Sequence, residues 1–150
     1  MVIIVLIRNY CIMNTIVLKG IAWDTENLEI NRKTHFMYGK ALHFAENSGK
    51  RLPTKEEFEE LLKLPHEWDD DKHGMWFAER EEDLKTVKSL FLPAAGNHSN
   101  GTMYNVGKYG YYWAQTPAHA TYACCLYFYS TNFYTDGNLR SSGCAVRLVK

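Results

Sequence analysis

Cysteine and histidine are the residue types in this chain that could hold a redox metal. The four cysteines are Cys11, Cys124, Cys125 and Cys144, and no two are spaced as CxxC. Adjacent side chains on a strand point to opposite faces, so Cys124 and Cys125 should diverge. A copper site needs converging thiolates, and a facial iron site needs several histidines. The six histidines show no pairing on one helix face, so we expect no catalytic residue, metal or cofactor.

Aspartates are the other candidates for binding a cation. Asp69, Asp70 and Asp71 are consecutive, and their side chains should diverge, whereas a calcium loop needs spaced oxygen ligands. We therefore interpret them as a solvated loop. Asp136 is the only acidic residue after residue 91, which also argues against calcium-dependent sugar binding.

The chemistry of the last third of the chain favours binding. Ten aromatic residues fall between Tyr109 and Tyr134, and uncharged, tyrosine-rich surfaces are typical of paratopes. From Thr116 to Val146 the chain contains no Glu, Lys, Gln, Met or Trp. Every residue of this stretch can be encoded by a codon that ends in a pyrimidine.

Strand alternation divides this region into inward and outward residues. If Leu126 and Phe128 point to the core, then Cys125, Tyr127 and Tyr129 point outward, and turns are expected to supply further contacts. The predicted ligand-binding residues are Ala114, Pro117, His119, Thr121, Cys125, Tyr127, Tyr129, Phe133, Tyr134, Asp136, Asn138, Leu139, Ser141 and Ser142.

Other residues of this region are predicted to point inward and to form the scaffold. Cys124 should share the core side with Leu126, and Val146 should point inward on the last strand. We interpret Tyr111, Trp113 and Arg147 as scaffold residues too.

Length and charge limit the classes of function. At 150 residues the chain suits one domain, residues 13–150, with no linker or repeat. Its formal net charge is zero, so nucleic acid is not an expected partner. We interpret residues 1–12 as an N-terminal extension or as a segment that precedes a true start at Met13. Their apolar run ends at Arg8 and is too short to span a membrane.

The local patterns predict helices followed by short strands. A helix is expected over Lys33–Asn47, capped by Thr34 and ended by Gly49, and another from the capping box at Thr54 to Leu64, before Pro65. Strands are expected at Asn14–Trp23, Met75–Ala78, Leu90–Leu92, Tyr111–Trp113, Tyr122–Tyr129 and Ala145–Val149. This order of elements predicts an α+β domain.

Several segments resemble a known group of proteins. Residues 49–60, GKRLPTKEEFEE, resemble the RLPTEAEWE segment of the formylglycine-generating-enzyme type of C-type lectin fold. Residues 91–96, FLPAAG, and 107–113, GKYGYYW, resemble the Fibrobacter succinogenes major paralogous domain. The later positions Leu126, Phe128, Arg140, Gly143 and 145–147, AVR, continue this likeness.

The resemblance implies a C-type lectin fold, with two helices packed on short, mostly antiparallel twisted sheets. It also implies a variable protein of a diversity-generating retroelement, in which adenines of a template are randomised. Residues 13–113 would be the constant scaffold and 114–147 the variable region. The implied function is non-catalytic binding of a variable protein or glycan ligand on a cell surface, by a protein displayed on a phage tail or a bacterial surface.

Two alternatives remain open at this point. Relatives with the RLPT segment include metal-dependent oxidases of the formylglycine-generating type, although the RGGSW-like segment of those enzymes is missing here. The other alternative is a structural surface or adhesion module of the same fold.

Overall fold

The computed structural model describes residues 15–150, and the predicted extension 1–12 lies outside them. Ten strands occur in this part of the chain: β1 Thr15–Leu18, β2 Ile21–Asp24, β3 His66–Asp69, β4 Gly74–Phe77, β5 Leu90–Pro93, β6 Asn97–Ser99, β7 Thr102–Tyr104, β8 Gly110–His119, β9 Tyr122–Tyr129 and β10 Asn132–Leu139. The helices are α1 Tyr38–Asn47 and α2 Lys55–Leu62.

The strands form several small antiparallel sheets. The central sheet is β8-β9-β10, the second is β3-β4-β5, and β1-β2 and β6-β7 are two-stranded hairpins. The β6-β7 hairpin turns at Asn100-Gly101, where both residues have positive φ angles, the conformation that a tight hairpin turn requires.

Helix α2 begins where the sequence predicts. The Thr54 hydroxyl accepts a hydrogen bond from the Glu57 amide at 3.1 Å, and the Glu57 carboxylate accepts one from the Thr54 amide at 2.9 Å. This is the predicted capping box. The helix ends at Leu62, shortly before Pro65, and buries Phe58 and Leu61.

Helix α1 begins five residues later than predicted. The amide of Phe36 donates to the Cys144 carbonyl oxygen at 3.0 Å, so the chain before the helix is extended. Met37 therefore occupies the cap position, without a side-chain cap, and the prediction of Thr34 as the cap was wrong. Gly49, with a φ angle of +72°, follows the C-cap Ser48, as predicted.

Hydrophobic clusters cover one face of the central sheet and part of the other. On one face, Leu126 and Phe128 pack in a hydrophobic cluster with Phe58 of α2. On the other, Trp113 and Cys125 pack with residues of α1 in a second cluster. The Trp113 indole donates to the Phe36 carbonyl oxygen at 2.7 Å, which ties this second cluster to the segment before α1.

The expected α+β fold of the C-type lectin class was wrong. About 45% of the structure is strand and only about 15% is helix, in two short helices beside several small antiparallel sheets. One cause is that residues 33–37 are extended and not helical. Another is that Asn132–Leu139, for which no strand is predicted, is strand β10 and pairs along its whole length with β9.

Three other strand predictions need correction. The expected strand Asn14–Trp23 is two strands, β1 and β2, which pair as an antiparallel hairpin. Strand β8 continues to His119, well beyond Trp113, with register shifts around Pro117 that allow it to keep pairing with β9. Ala145–Val149 is not a strand of any sheet. Its residues form single bridges, for example Tyr112 with Ala145 and Trp23 with Val149.

Candidate functional site

Five tyrosines lie together on one face of the central sheet, and we call them the tyrosine face: Tyr109, Tyr111, Tyr127, Tyr129 and Tyr134. Tyr111 of β8 and Tyr134 of β10 are both paired in register with Tyr127 of β9. Directly paired residues on neighbouring strands project to the same side. The sheet therefore sets three phenol rings in a row across its strands.

Tyr127 is the centre of the cluster. Its ring centroid lies 5.0 Å from that of Tyr111, 5.0 Å from Tyr134, 5.9 Å from Tyr129 and 5.5 Å from Tyr109, against which it is stacked. These are normal distances for favourable aromatic pairs. The rings therefore hold one another in place.

The face is partly open to solvent. Tyr134 is 40% exposed and the other four tyrosines are half-buried. Burial raises the pKa of the Tyr127 phenol, and neighbouring tyrosine hydroxyls raise it further. Burial also raises the pKa of Tyr111, whose hydroxyl is 3.5 Å from the Asn105 side-chain amide. Both phenols are therefore neutral at physiological pH and can donate and accept hydrogen bonds.

Two further predicted residues lie on the same side of β10. Residues two apart on a strand share a face, so Asp136 and Asn138 follow Tyr134 along the sheet. Asp136 is exposed and supplies the single carboxylate of this strand. The Asn138 side-chain amide lies 3.4 Å from the Cys144 sulfur, which fixes it at the inner edge of the face.

Three predicted contact residues at the β8-β9 end of the sheet form a separate exposed group. Pro117, His119 and Thr121 are exposed, and the His119 ring lies 4.5 Å from that of Tyr122. Arg140 donates to the His119 carbonyl oxygen at 2.8 Å and to the Tyr122 carbonyl oxygen at 3.1 Å. These bonds fasten the β8-β9 turn to the end of β10.

Three predicted contact residues are buried, so those predictions were wrong. Ala114 is 0% exposed, Cys125 is 2% and Ser142 is 9%. Alternation did place Cys125 on the same side as Tyr127, but the second hydrophobic cluster covers that part of the sheet. A strand face can thus be core at one end and solvent-facing at the other.

Phe133 and Leu139 lie on the opposite face from Tyr134. Phe133 is paired in register with Phe128, packs against the first hydrophobic cluster, and its ring is 4.3 Å from that of His66. It therefore does not form an exposed pair with Tyr134. Leu139 is 44% exposed, and Ser141 is exposed beyond the end of β10.

Two members of the tyrosine face lie outside the predicted set of contact residues. Tyr111 was interpreted as scaffold and Tyr109 was not assigned to the site. The usable signal was their spacing, because Tyr109 and Tyr111 are two apart and alternate with Gly110 and the fully buried Tyr112. The predictions for Trp113 and Arg147 agree with the structure, in which their exposures are 0% and 1%.

Other geometric findings bear on metals and membranes. Cys124 packs against the first hydrophobic cluster and Cys125 belongs to the second, so the two thiols diverge as predicted. Within residues 15–150 there is no group of three or more His, Cys, Asp or Glu residues placed to hold a metal ion. In the same range, every helix is too short or too polar to cross a membrane.

The tyrosine face lies wholly within a recognised family region. Comparison with curated proteins and with solved structures found no match. A family model described as "Domain of unknown function (DUF8237)" matches residues 70–149, more than half of the chain. This region contains all three strands of the central sheet. The chain belongs to the DUF8237 family of domains of unknown function.

Proposed function

We propose that this protein is a non-catalytic ligand-binding protein and that the tyrosine face is its main contact surface. One observation carries the proposal: five tyrosines share a solvent-accessible sheet face and contact one another around Tyr127. Exposed aromatic clusters on a protein surface mark interaction sites more often than isolated apolar residues do. Tyrosine is also enriched where binding energy concentrates.

The physical properties of the face suit recognition. A tyrosine ring offers a large apolar area with few rotatable bonds, and its hydroxyl can donate or accept. Because the five rings already pack on one another, fixing them against a ligand costs little conformational entropy. The ligand class is a protein surface or a glycan whose flat sugar faces stack on the rings.

We also propose that the region around this face is diversified by retroelement mutagenesis. The stretch 116–146 contains only residues that pyrimidine-ending codons can encode. It supplies Tyr127, Tyr129 and Tyr134 together with the exposed turn at His119. On a phage tail or a bacterial surface, such variation would allow the protein to bind cell-surface ligands that themselves change.

A binding experiment tests the contact surface. Labelled protein is applied to a glycan array and to panels of bacterial cells, and the double variant Tyr129→Ser/Tyr134→Ser is compared with the parent. We expect the affinity for any target of the parent to fall by about tenfold or more. Loss of a single aromatic hot-spot residue at an interface commonly weakens binding by that factor.

Tyr104→Ser is the matched control. Tyr104 is 48% exposed and makes no ring contact with the tyrosine face, so this variant should bind like the parent. Equal binding by the parent and the double variant would reject the tyrosine face as the contact surface.

Sequencing the same locus across related strains tests diversification separately. We expect substitutions between residues 114 and 147 to concentrate at exposed positions. We also expect a nearby template copy that differs at adenines, beside a reverse-transcriptase gene. Substitutions spread evenly over buried and exposed positions, with no template copy, would reject this part of the proposal.

A further inference from the structure

A second concave surface lies away from the tyrosine face, and we call it the basic groove. It is open, has a volume of about 750 Å³, and is formed by residues 30–37, the start of α1, the β6-β7 hairpin and residues 141–143. Cations at its lining are Arg32, Lys33 and Lys40. None of the described residues that line the groove is acidic.

The cationic side chains of the basic groove have no acidic partner among the described residues. Within residues 15–150, the side chains of Arg32, Lys33 and Lys40 form no ion pair, although Lys50, Arg51, Lys63, Arg80 and Lys85 all do. All three residues are exposed. A concave surface with one sign of charge attracts ions of the opposite sign.

The groove also has apolar walls. Phe36 and Phe44 pack edge to face with centroids 5.4 Å apart. Met37 and Met103 line the groove and are 50% and 40% exposed. Two large methionine side chains left exposed beside the same groove are available to cover the apolar part of a ligand.

Backbone pairing makes the walls rigid. His98 and Gly143 exchange hydrogen bonds of 2.8 and 2.7 Å, and Phe36 and Cys144 exchange bonds of 3.0 and 3.1 Å. A Cβ atom at Gly143 would lie 2.9 Å from the His98 Cβ, so glycine permits this close approach. The segment that follows β10 is thereby held between the β6-β7 hairpin and the chain before α1.

We propose that the basic groove binds a small ligand that carries a phosphate or carboxylate group on an apolar body. The charged group lies between Arg32, Lys33 and Lys40, and the apolar body lies on Met37, Phe44 and Met103. Lysine and arginine are the common partners of such oxyanions. This site is independent of the tyrosine face, although Ser141 at its edge comes from the region predicted to vary.

Nuclear magnetic resonance titration of the full ¹⁵N-labelled chain tests the site. The probes are 1-naphthyl phosphate, 1-naphthoate, inorganic phosphate and the neutral alcohol 1-naphthalenemethanol. We expect the two naphthyl anions to bind more tightly than the alcohol and than inorganic phosphate, with shifts at the amides of Lys40, His98 and Gly143. The anion that binds more tightly identifies whether the groove prefers a phosphate or a carboxylate.

Lys33→Gln/Lys40→Gln tests the role of the charges. We expect this double variant to bind 1-naphthyl phosphate about fivefold more weakly, since two partly solvated charge pairs are lost. Lys88→Gln/Lys150→Gln is the matched control, because it removes two exposed lysines outside the groove that form no ion pair within residues 15–150. The control should change the affinity by less than about twofold.

Several results would overturn the proposal. Shifts confined to residues outside the groove would do so, as would an alcohol that binds as tightly as the anions. An equal loss of affinity in the control variant would show a general charge effect. The titration of the parent chain maps the site without any variant, so a variant that failed to fold would leave the test intact.

Discussion

Tyr127 and Phe128 are neighbours in β9, yet they occupy two different kinds of aromatic cluster. The Phe128 ring is stacked on Tyr112 at 6.0 Å, lies 6.5 Å from Trp68, and is 0% exposed. The Tyr127 ring has four tyrosine neighbours at similar distances, but its cluster remains partly open to solvent.

The comparison shows that contacts between rings do not distinguish a buried core from a partly exposed face. What differs is the covering layer. Helix α2 and the β3-β4-β5 sheet cover Phe128, whereas no described element closes over the outer side of the tyrosine face. Ring contacts occur on both faces, but only those around Phe128 are sealed from solvent.

Loss of the Phe128 ring should have the largest effect on stability. Phe128→Ala removes a fully buried ring, and we expect the free energy of unfolding to fall by roughly 3 to 5 kcal/mol. Urea denaturation followed by circular dichroism measures the change. An unchanged midpoint and slope would show that Phe128 does not lie in the core.

A methyl group added against the Phe128 ring should have the next largest effect on stability. A Cβ atom at Gly110 would lie 2.2 Å from two carbons of the Phe128 ring, and this ring is enclosed on its other sides. Gly110→Ala should therefore reduce the free energy of unfolding by roughly 1 to 3 kcal/mol.

Gly39→Ala is the control for this glycine. It lies in α1, where an added Cβ atom would meet no atom within 4 Å. In the middle of a helix, replacing glycine by alanine stabilises a protein by about 0.5 to 1 kcal/mol, and in the first turn, where Gly39 lies, we expect a smaller gain. The two alanine substitutions should thus shift the urea midpoint in opposite directions, and shifts of the same sign would contradict the geometry at Gly110.

The pH dependence of stability should show that Cys125 is buried. Cys125 lies on the same side of the sheet as the tyrosine face, where the second hydrophobic cluster covers that side. Burial raises the pKa of the Cys125 thiol from 9.0 to about 12, and the Asp136 carboxylate contributes. Between these pH values the unfolded chain has lost this proton and the folded chain retains it. The contribution to stability is therefore complete below pH 9.0 and is lost as the pH rises to about 12.

Cys125→Ala checks this sign. In that interval the slope of stability against pH should become shallower by at most about 1.4 kcal/mol per pH unit. Cys124→Ala is the control, since Cys124 is only half-buried and should change the slope less. Equal slopes for the parent and Cys125→Ala would show that the thiol is not buried.

Local signals predicted individual elements of the fold, but not its class. The capping box at Thr54 and Glu57, the glycine after α1 and the bounds of β9 all depend on residues close together in the sequence. Strand β10 was missed because NFYTDGNL contains residues that are typical of turns. Pairing with β9 overrides that preference, and nothing within the segment itself reveals the partner.

The errors at the candidate site have the same origin. Alternation placed Tyr127, Tyr129 and Cys125 on one side, but only the covering layer decides which of them is exposed. That layer includes α1, whose start depends on the Phe36 pairing with Cys144. These residues are far apart in the sequence, so no local pattern could show that Ala114, Cys125 and Ser142 are buried.

The smallest effect on stability should come from the outermost tyrosine. Tyr134 is 40% exposed, and its only ring contact within the described chain is with Tyr127. We expect Tyr134→Ser to change the free energy of unfolding by about 0.5 kcal/mol or less, as is usual for exposed positions. A loss of several kcal/mol in the same urea titration would place Tyr134 in a core. The tyrosine face would then be the second aromatic core of the fold, and the contrast with Phe128 would disappear.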